Sequence, residues 1–272
     1  MNNTYQVYLI SDSTGETLDR IFLALQAQFS NFQYKSHQYS FIRTENQILK
    51  TLETCKKQKN IIILYTIVDT KLAKFLGNKS EEFKMPCFNV LGDLILSFSK
   101  LLHQQATHIP SGQHVLDEDY YKRIEAIQFT MNHDDGKETR DIENSDIVLL
   151  GVSRTSKTPT SIYLANRGFK TSNIPIVSEE SLPKQITENP KLTCVIGLLS
   201  EATRLIDIRK NRIAILKEKD ASTYTDLDTI ENEIKIAKNL YRKFGWPTID
   251  VTRKSVEETA ASVIKIYDIM NS

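Results

Sequence analysis

The chain has 272 residues, 40% of them hydrophobic and 25% charged, the proportions of an ordinary soluble protein with one large or two modest domains. Its 35 basic residues nearly cancel its 34 acidic ones, which argues against the global positive field of a nucleic-acid binder. No apolar run approaches the roughly 20 residues that span a bilayer, and the polar start Met1-Asn2-Asn3-Thr4 leads into a strand-like run instead of a signal peptide, so a cytoplasmic protein is expected, with neither membrane nor nucleic acid as partner.

In chain order, the first third alternates short apolar runs with amphipathic segments, the rhythm of repeated βα units on a mainly parallel sheet. Strands are expected at Tyr5–Ile10, Gln38–Ile42, Ile61–Val68 and Pro86–Val90, and helices at Glu16–Phe29, Glu45–Lys56, Asp69–Leu76 and Leu91–His103. The segment Gln104–Asp117, with Pro110, Ser111 and Gly112, breaks that rhythm and reads as a linker. Beyond it come a helix at Asp117–Met131, an acidic turn His133-Asp134-Asp135-Gly136, a buried strand ending at Gly151 and a helix at Lys157–Arg167. Strands at Asn173–Val177, Leu192–Leu199 and Thr248–Val251, and helices at Glu201–Lys217, Asp226–Phe244 and Val256–Met270, complete a second α/β layer. The fold class expected is therefore α/β, with an N-terminal parallel βα domain over 1–105 and a C-terminal domain over 106–272 built around a phosphate-binding loop; no internal sequence repeat is visible. Cys55, Cys87 and Cys194 are widely separated and lack metal-ligand spacing, so inert thiols are expected.

The stretch Ile147-Val148-Leu149-Leu150-Gly151-Val152-Ser153-Arg154-Thr155-Ser156-Lys157-Thr158-Pro159 carries the most chemistry. A buried strand feeds a loop that starts with glycine and ends in Lys-Thr at a helix start, where backbone N–H groups can surround a phosphate. The spacing follows G-x-x-x-x-G-K-[ST], with Ser156 in place of the second glycine, where a Cβ makes positive φ costly. Lys157 would reach the transferred phosphoryl group, Arg154 would neutralise its charge, and Thr158 would supply a hydroxyl to Mg²⁺. The bland alternatives are a glycine that merely ends a strand, a solvated Lys157 and a surface Arg154.

Asp134-Asp135-Gly136 lies fifteen residues before Gly151, close enough for a carboxylate to take a proton from an attacking hydroxyl or hold a metal, although the same tripeptide is ordinary turn chemistry. His133 reads as structural or solvent-facing. No strand of this unit ends in an obvious second metal-side Asp. Ser11-Asp12-Ser13-Thr14-Gly15-Glu16-Thr17 joins a strand to a helix and suits either phosphate or partner binding, or simple helix capping. Arg204, Arg209 and Arg212 lie on one expected helix, with Arg209 and Arg212 three apart on one face that would bind phosphate or an acidic partner, or would simply be solvated.

Taken together, these three motifs, with Ile208-Arg209-Lys210-Asn211-Arg212 and the closing Trp246-Pro247-Thr248-Ile249-Asp250-Val251-Thr252-Arg253-Lys254-Ser255, resemble the regulatory proteins of pyruvate, phosphate dikinase and of phosphoenolpyruvate synthase over nearly the whole chain. The resemblance implies a bifunctional enzyme. Such proteins inactivate their target by phosphorylating a threonine with ADP as donor, and reactivate it by phosphorolysis with inorganic phosphate, releasing pyrophosphate. In the dikinase that threonine lies beside the catalytic histidine, and the kinase acts on the histidine-phosphorylated form. On this resemblance the second domain would be the kinase domain, Asp135, Lys157 and Arg154 its catalytic residues, Gly151 to Thr158 its nucleotide loop, and the dikinase its protein partner, because Thr-Ser-Lys-Thr is closer to the dikinase branch than the Cys-Gly-Lys-Thr of the synthase branch. The long charged helices would offer a docking face and could pair into a homodimer.

Two other readings compete. A small-molecule kinase would use the same loop on a metabolite hydroxyl and would need a compact acceptor pocket. A nucleotide-sensing module would keep the loop and control a partner by binding alone, with no need for Asp135.

Overall fold

The computed structural model describes residues 4–112, 117–216 and 223–272. Residues 113–116 of the expected linker, and Lys217 at the end of an expected helix, lie outside them. The chain divides into two compact units, residues 1–115 and 116–272.

In the first unit, β1 (Tyr5–Ser11), β2 (Tyr34–Tyr39), β3 (Ile61–Thr66) and β4 (Cys87–Asn89) form a fully parallel sheet in the order β2-β1-β3-β4. Side chains alternate across it. Tyr8, Ile10, Ile63 and Tyr65 pack with Ile48 and Leu52 of α2 (Glu45–Lys56) and Leu76 of α3 (Thr70–Glu82), while Val7, Leu9 and Leu64 meet Leu18 and Phe22 of α1 (Glu16–Gln26). A further helix, α4 (Gly92–Leu102), follows β4.

The second unit repeats this order with different sequence. It contains α5 (Glu118–Asn132), β5 (Ile147–Gly151), α6 (Lys157–Ala165), β6 (Thr171–Pro175), α7 (Lys184–Glu188), β7 (Cys194–Leu199), α8 (Ala202–Leu216), α9 (Leu227–Phe244), β8 (Thr248–Asp250) and α10 (Val256–Met270). Its sheet is also fully parallel, in the order β6-β5-β7-β8. Val148 and Leu150 face a core of Leu205 from α8 with Ile230, Ala237 and Tyr241 from α9; Ile147 and Leu149 face Leu164 of α6 with Ala260 and Val263 of α10. Right-handed crossovers between parallel strands restrict such sheets to few orders, so two unlike sequences can arrive at the same one.

The sequence expectation has no counterpart of α7, α1 stops at Gln26 short of the expected Phe29, and three other elements shift for reasons visible in the structure. Strand β2 lies at Tyr34–Tyr39 instead of Gln38–Ile42, because Phe41 takes φ 57° and its N–H turns to Ser13 O at 2.9 Å, with Ile42 N–H on Ser11 O. Strand β6 begins at Thr171 instead of Asn173, since the polar Thr171, Ser172 and Asn173 are buried with hydrogen-bond partners of their own. Helix α3 runs on to Glu82, past the expected Leu76. Among the described residues no helix is long and apolar enough to cross a membrane. The three cysteines are free, and burial pushes the Cys55 thiol up to about 12 and the Cys194 thiol to about 11.

Candidate active site

In a parallel sheet of this order, the connections after the first and third strands diverge to opposite sides, leaving a crevice at the carboxyl ends of the strands where ligands bind. In the second unit that position belongs to the β5–α6 loop, residues 152–156. Gly151 is required by close approach and not by φ: a Cβ there would collide with Thr155 Oγ1 and come within 3.3 Å of Leu198 O. Thr155 is buried, and its hydroxyl donates to Val152 O at 2.9 Å, closing the loop on itself.

Ser156, expected to resist a left-handed backbone, adopts one (φ 60°, ψ 24°), and so does Arg154 (φ 72°). Ser153 and Thr155 stay at negative φ, so the sign alternates along residues 153–156. Alternation of this kind turns successive amide N–H groups into one concavity, a nest for an anion, directly before the open N-terminus of α6. Non-glycine residues held this way cost of order 1–3 kcal/mol each, so the surroundings must fix them.

The loop is held from below, at Ser153, by Arg209 of α8. Its guanidinium is fully buried and forms an ion pair with Glu233 of α9 at 2.6 Å, while Nη2 donates to Ser153 O at 3.2 Å and Nη1 to Tyr224 O at 3.1 Å. The Tyr224 hydroxyl in turn shares a hydrogen bond with Ser153 Oγ at 2.9 Å and accepts one from Arg154 Nε at 3.1 Å. Arg209 is thus an interior support of the loop and not part of a solvated face. Arg204 and Arg212, on the same helix, are exposed and point to a different environment from Arg209.

Lys157, the first residue of α6, is buried, and its ammonium donates to Val152 O at 3.1 Å. Burial pulls its pKa down to about 8; Asp135 and Asp134 oppose that shift, and Arg154 and Arg209 add to it. A lysine so placed gains from any anion that enters the nest.

The acidic turn meets the loop. Asp134 Oδ1 accepts from the Thr158 hydroxyl at 2.9 Å and from Asn173 Nδ2 at 2.5 Å. Asp135, exposed and at φ 57°, donates its N–H to Asn173 Oδ1 at 2.9 Å. Asn173 also donates to Ser161 Oγ at 3.2 Å, so one buried amide orients both aspartates and the first turns of α6. His133 is buried and structural: it stacks on Phe129 with ring centroids 3.8 Å apart, and its ring nitrogens meet Phe129 O and Asp141 Oδ1. The sequence reading missed Asn173, Tyr224 and Glu233; a buried asparagine in an otherwise inward-facing strand was the available signal for the first.

The other candidate loop lies in the first unit, at the equivalent crevice between β1 and β3. Ser11, Asp12, Ser13 and Thr14, with Thr66, Val68 and Ser111, line a cavity of about 200 Å³, and α1 begins after the left-handed Gly15 (φ 87°). Asp12 is buried and accepts from the Val68 amide at 2.7 Å; burial raises its pKa against that hydrogen bond and against Arg43. Ser13 Oγ shares a hydrogen bond with Ser111 Oγ at 2.8 Å, and Ser11 Oγ accepts from Thr66 at 3.1 Å.

The model of the kinase/pyrophosphorylase family matches residues 7–264, nearly the whole chain. The chain belongs to the kinase/pyrophosphorylase family. Relatives agree end to end. A protein of Pelagibacter ubique (strain HTCC1062) is 65% identical over 269 residues, covering 99% of this chain and 98% of its own. One from Chelativorans sp. (strain BNC1) is 44% identical, covering 96% of each chain, and one from Brucella anthropi is 44% identical, covering 98% of this chain and 96% of its own. All three carry the provisional name of pyruvate, phosphate dikinase regulatory proteins. A kinase/pyrophosphorylase is a phosphotransferase, and the nest of the β5–α6 loop, the lysine that follows it and the aspartates of the turn before β5 are groups of the kind such a reaction uses.

The support of the loop by Arg209 can be checked. Arg209→Met leaves Glu233 without its partner and should lower stability, towards the lower end of the roughly 3–5 kcal/mol typical of a broken buried ion pair because Glu233 is partly exposed. Arg212→Ala should stay within about 0.5 kcal/mol of the parent. Urea midpoints of the two variants decide it; equal midpoints would place Arg209 outside the interior network.

Proposed function

We propose that this chain regulates pyruvate, phosphate dikinase by reversible phosphorylation of a threonine, using ADP as phosphoryl donor and inorganic phosphate as the acceptor that removes the phosphate. The names of its relatives support the target, and one observation supports the chemistry most: Lys157, Thr158, Asp134 and Asp135 converge on the N–H nest at the end of β5.

In the forward direction the loop amides and Lys157 hold the β-phosphoryl group of ADP. Asp135 takes the proton from the threonine hydroxyl as its oxygen bonds to the β-phosphorus; the bond from that phosphorus to the bridging oxygen breaks, and AMP leaves. In the opposite direction an oxygen of inorganic phosphate attacks the phosphothreonine phosphorus, the bond to the threonine oxygen breaks, that oxygen regains a proton, and pyrophosphate leaves. One nest serves both, because each reaction transfers a phosphoryl group between a threonine oxygen and a phosphate oxygen.

Among the described residues no three or more His, Cys, Asp or Glu side chains cluster as metal ligands. The Thr158 hydroxyl and Asp134 carboxylate are nonetheless the hard oxygen pair that suits Mg²⁺, an ion that keeps several waters and takes phosphate oxygens as ligands. Bound there, Mg²⁺ would offset charge on the phosphoryl oxygens. Asp134, which no strand-end pattern in the sequence marked, is the metal-side carboxylate in this proposal.

Incubation with histidine-phosphorylated pyruvate, phosphate dikinase and ADP labelled in its β-phosphate should place label on a threonine of the dikinase, and later addition of inorganic phosphate should release it as pyrophosphate. Labelling from ATP alone, or of a free metabolite in the absence of the dikinase, would contradict the proposal. Asp135→Asn should slow both reactions by about 10²–10⁴-fold, the usual range for losing a general base, with ADP affinity little changed. Either reaction at full rate would remove Asp135 from the chemistry.

The Lys157 ammonium is present in the free protein below about pH 8 and lost above it. ADP affinity should therefore fall as pH rises through about 8, while Lys157→Met should bind weakly and without that pH dependence. Titrations across this range read the effect directly; a flat wild-type profile would contradict a charged Lys157 as phosphate ligand.

A further inference from the structure

Tyr224 lies in a single 3₁₀ turn, Thr223–Thr225, just before α9, and 71 residues beyond the Ser153 that it touches. Arg209 holds its main chain and its ring: Nη1 donates to Tyr224 O at 3.1 Å, and the guanidinium carbon stands 4.6 Å from the ring centroid. The hydroxyl is left for other partners. It meets two consecutive residues of the β5–α6 loop, Ser153 Oγ at 2.9 Å and Arg154 Nε at 3.1 Å. Anchor and hydroxyl are therefore separable, and removal of the one oxygen leaves every contact of the ring and main chain in place.

The hydrogens at this junction can be followed one by one. An arginine only donates, so Arg154 Nε–H occupies one lone pair of the tyrosine oxygen. The tyrosine and serine hydroxyls share one hydrogen between their oxygens, which leaves one O–H of the pair free to donate elsewhere. Among the described residues neither Nη group of Arg154 has a hydrogen-bond partner, so the fork of the guanidinium is open to an anion.

Without the tyrosine, Arg154 has reason to turn away. It is exposed, its side chain is long, and its charge is felt unfavourably at Lys157. A single hydrogen bond at Nε counters that repulsion by fixing the side chain at its neck while leaving its donors unused.

We propose that Tyr224 is a positioning residue for the phosphoryl site, its hydroxyl holding the Arg154 guanidinium at the N–H nest so that an entering phosphate meets both Arg154 and Lys157 already in place. This rests on the reading of the β5–α6 loop as a phosphate site. Ordering an arginine only when its ligand arrives weakens binding, and the Tyr224 tether moves that cost into folding.

Pyrophosphate is the probe, because it carries the phosphoryl groups that the nest would hold and needs no dikinase. In calorimetric titrations Tyr224→Phe should weaken pyrophosphate binding by about 3–10-fold, the usual effect of leaving one long side chain unordered. Arg154→Ala should weaken it by roughly 10-fold or more, as for a lost hydrogen bond to a charged group. The double variant should bind less than about twofold more weakly than Arg154→Ala alone, because a tether without its arginine positions nothing. A hydroxyl that merely packs the loop would cost the same factor in both backgrounds. Phosphorylation of the dikinase should show the same non-additive pattern in kcat. Wild-type affinity in Tyr224→Phe, equal losses with and without Arg154, or no pyrophosphate binding by the wild type would each overturn the proposal. Should the wild type leave the dikinase unlabelled while the binding pattern holds, Tyr224 keeps this role and only the choice of reaction and target falls.

Discussion

The side-chain amide of Asn173 is the interaction on which the proposed site depends. It sits fully buried in β6, a strand whose neighbours are apolar, and uses its oxygen and its nitrogen on the acidic turn at once. Without it, Asp134 would lose a donor beside Thr158, and the N–H of the left-handed Asp135 would lose its acceptor. A buried amide left unsatisfied costs more than a hydrogen bond formed gains, so once this network closes it admits one arrangement of the turn. Arg209 supports the neighbouring loop, through Ser153 O directly and through Tyr224, whose hydroxyl meets the left-handed Arg154.

Charge follows from the same packing. Burying Lys157 among Arg154 and Arg209 disfavours its ammonium, and the two aspartates compensate only in part, so its pKa settles near 8. A lysine whose folded pKa lies below its unfolded value costs stability at neutral pH, and that cost is relieved as pH rises from about 8 towards 10.4. An entering phosphate relieves it too, by pairing with the ammonium. Strain in the loop backbone and the unfavourable burial of a charge are therefore both stored where an anion would offset them, a placement typical of functional sites.

Much of this was legible in the sequence. Helices α2 and α10 begin where the sequence places them, because Thr44 with Gln47 and Ser255 with Glu258 form capping boxes that fix their first turns. The β5–α6 loop was readable because its strand is wholly apolar and its spacing is local. Strands β2 and β6 were displaced because their residues are polar: both lie at sheet edges, and β6 satisfies its polar groups by contacts distant in sequence. Arg209 looked like one of a charged row, since helical spacing places it near Arg212 but cannot say which turn faces inward. The shared strand order of the two units had no sequence trace, because it is imposed by strand handedness and layer packing, which many sequences satisfy.

The central claim is that the β5–α6 loop, through Lys157, is where a nucleoside diphosphate binds. Calorimetric titration of ADP into the wild type, Lys157→Ala and Ser13→Ala proteins tests it most directly. The account predicts one ADP per chain for the wild type, unchanged affinity when Ser13 in the first unit is altered, and loss of binding when Lys157 is removed. Wild-type affinity in the Lys157→Ala protein would contradict it.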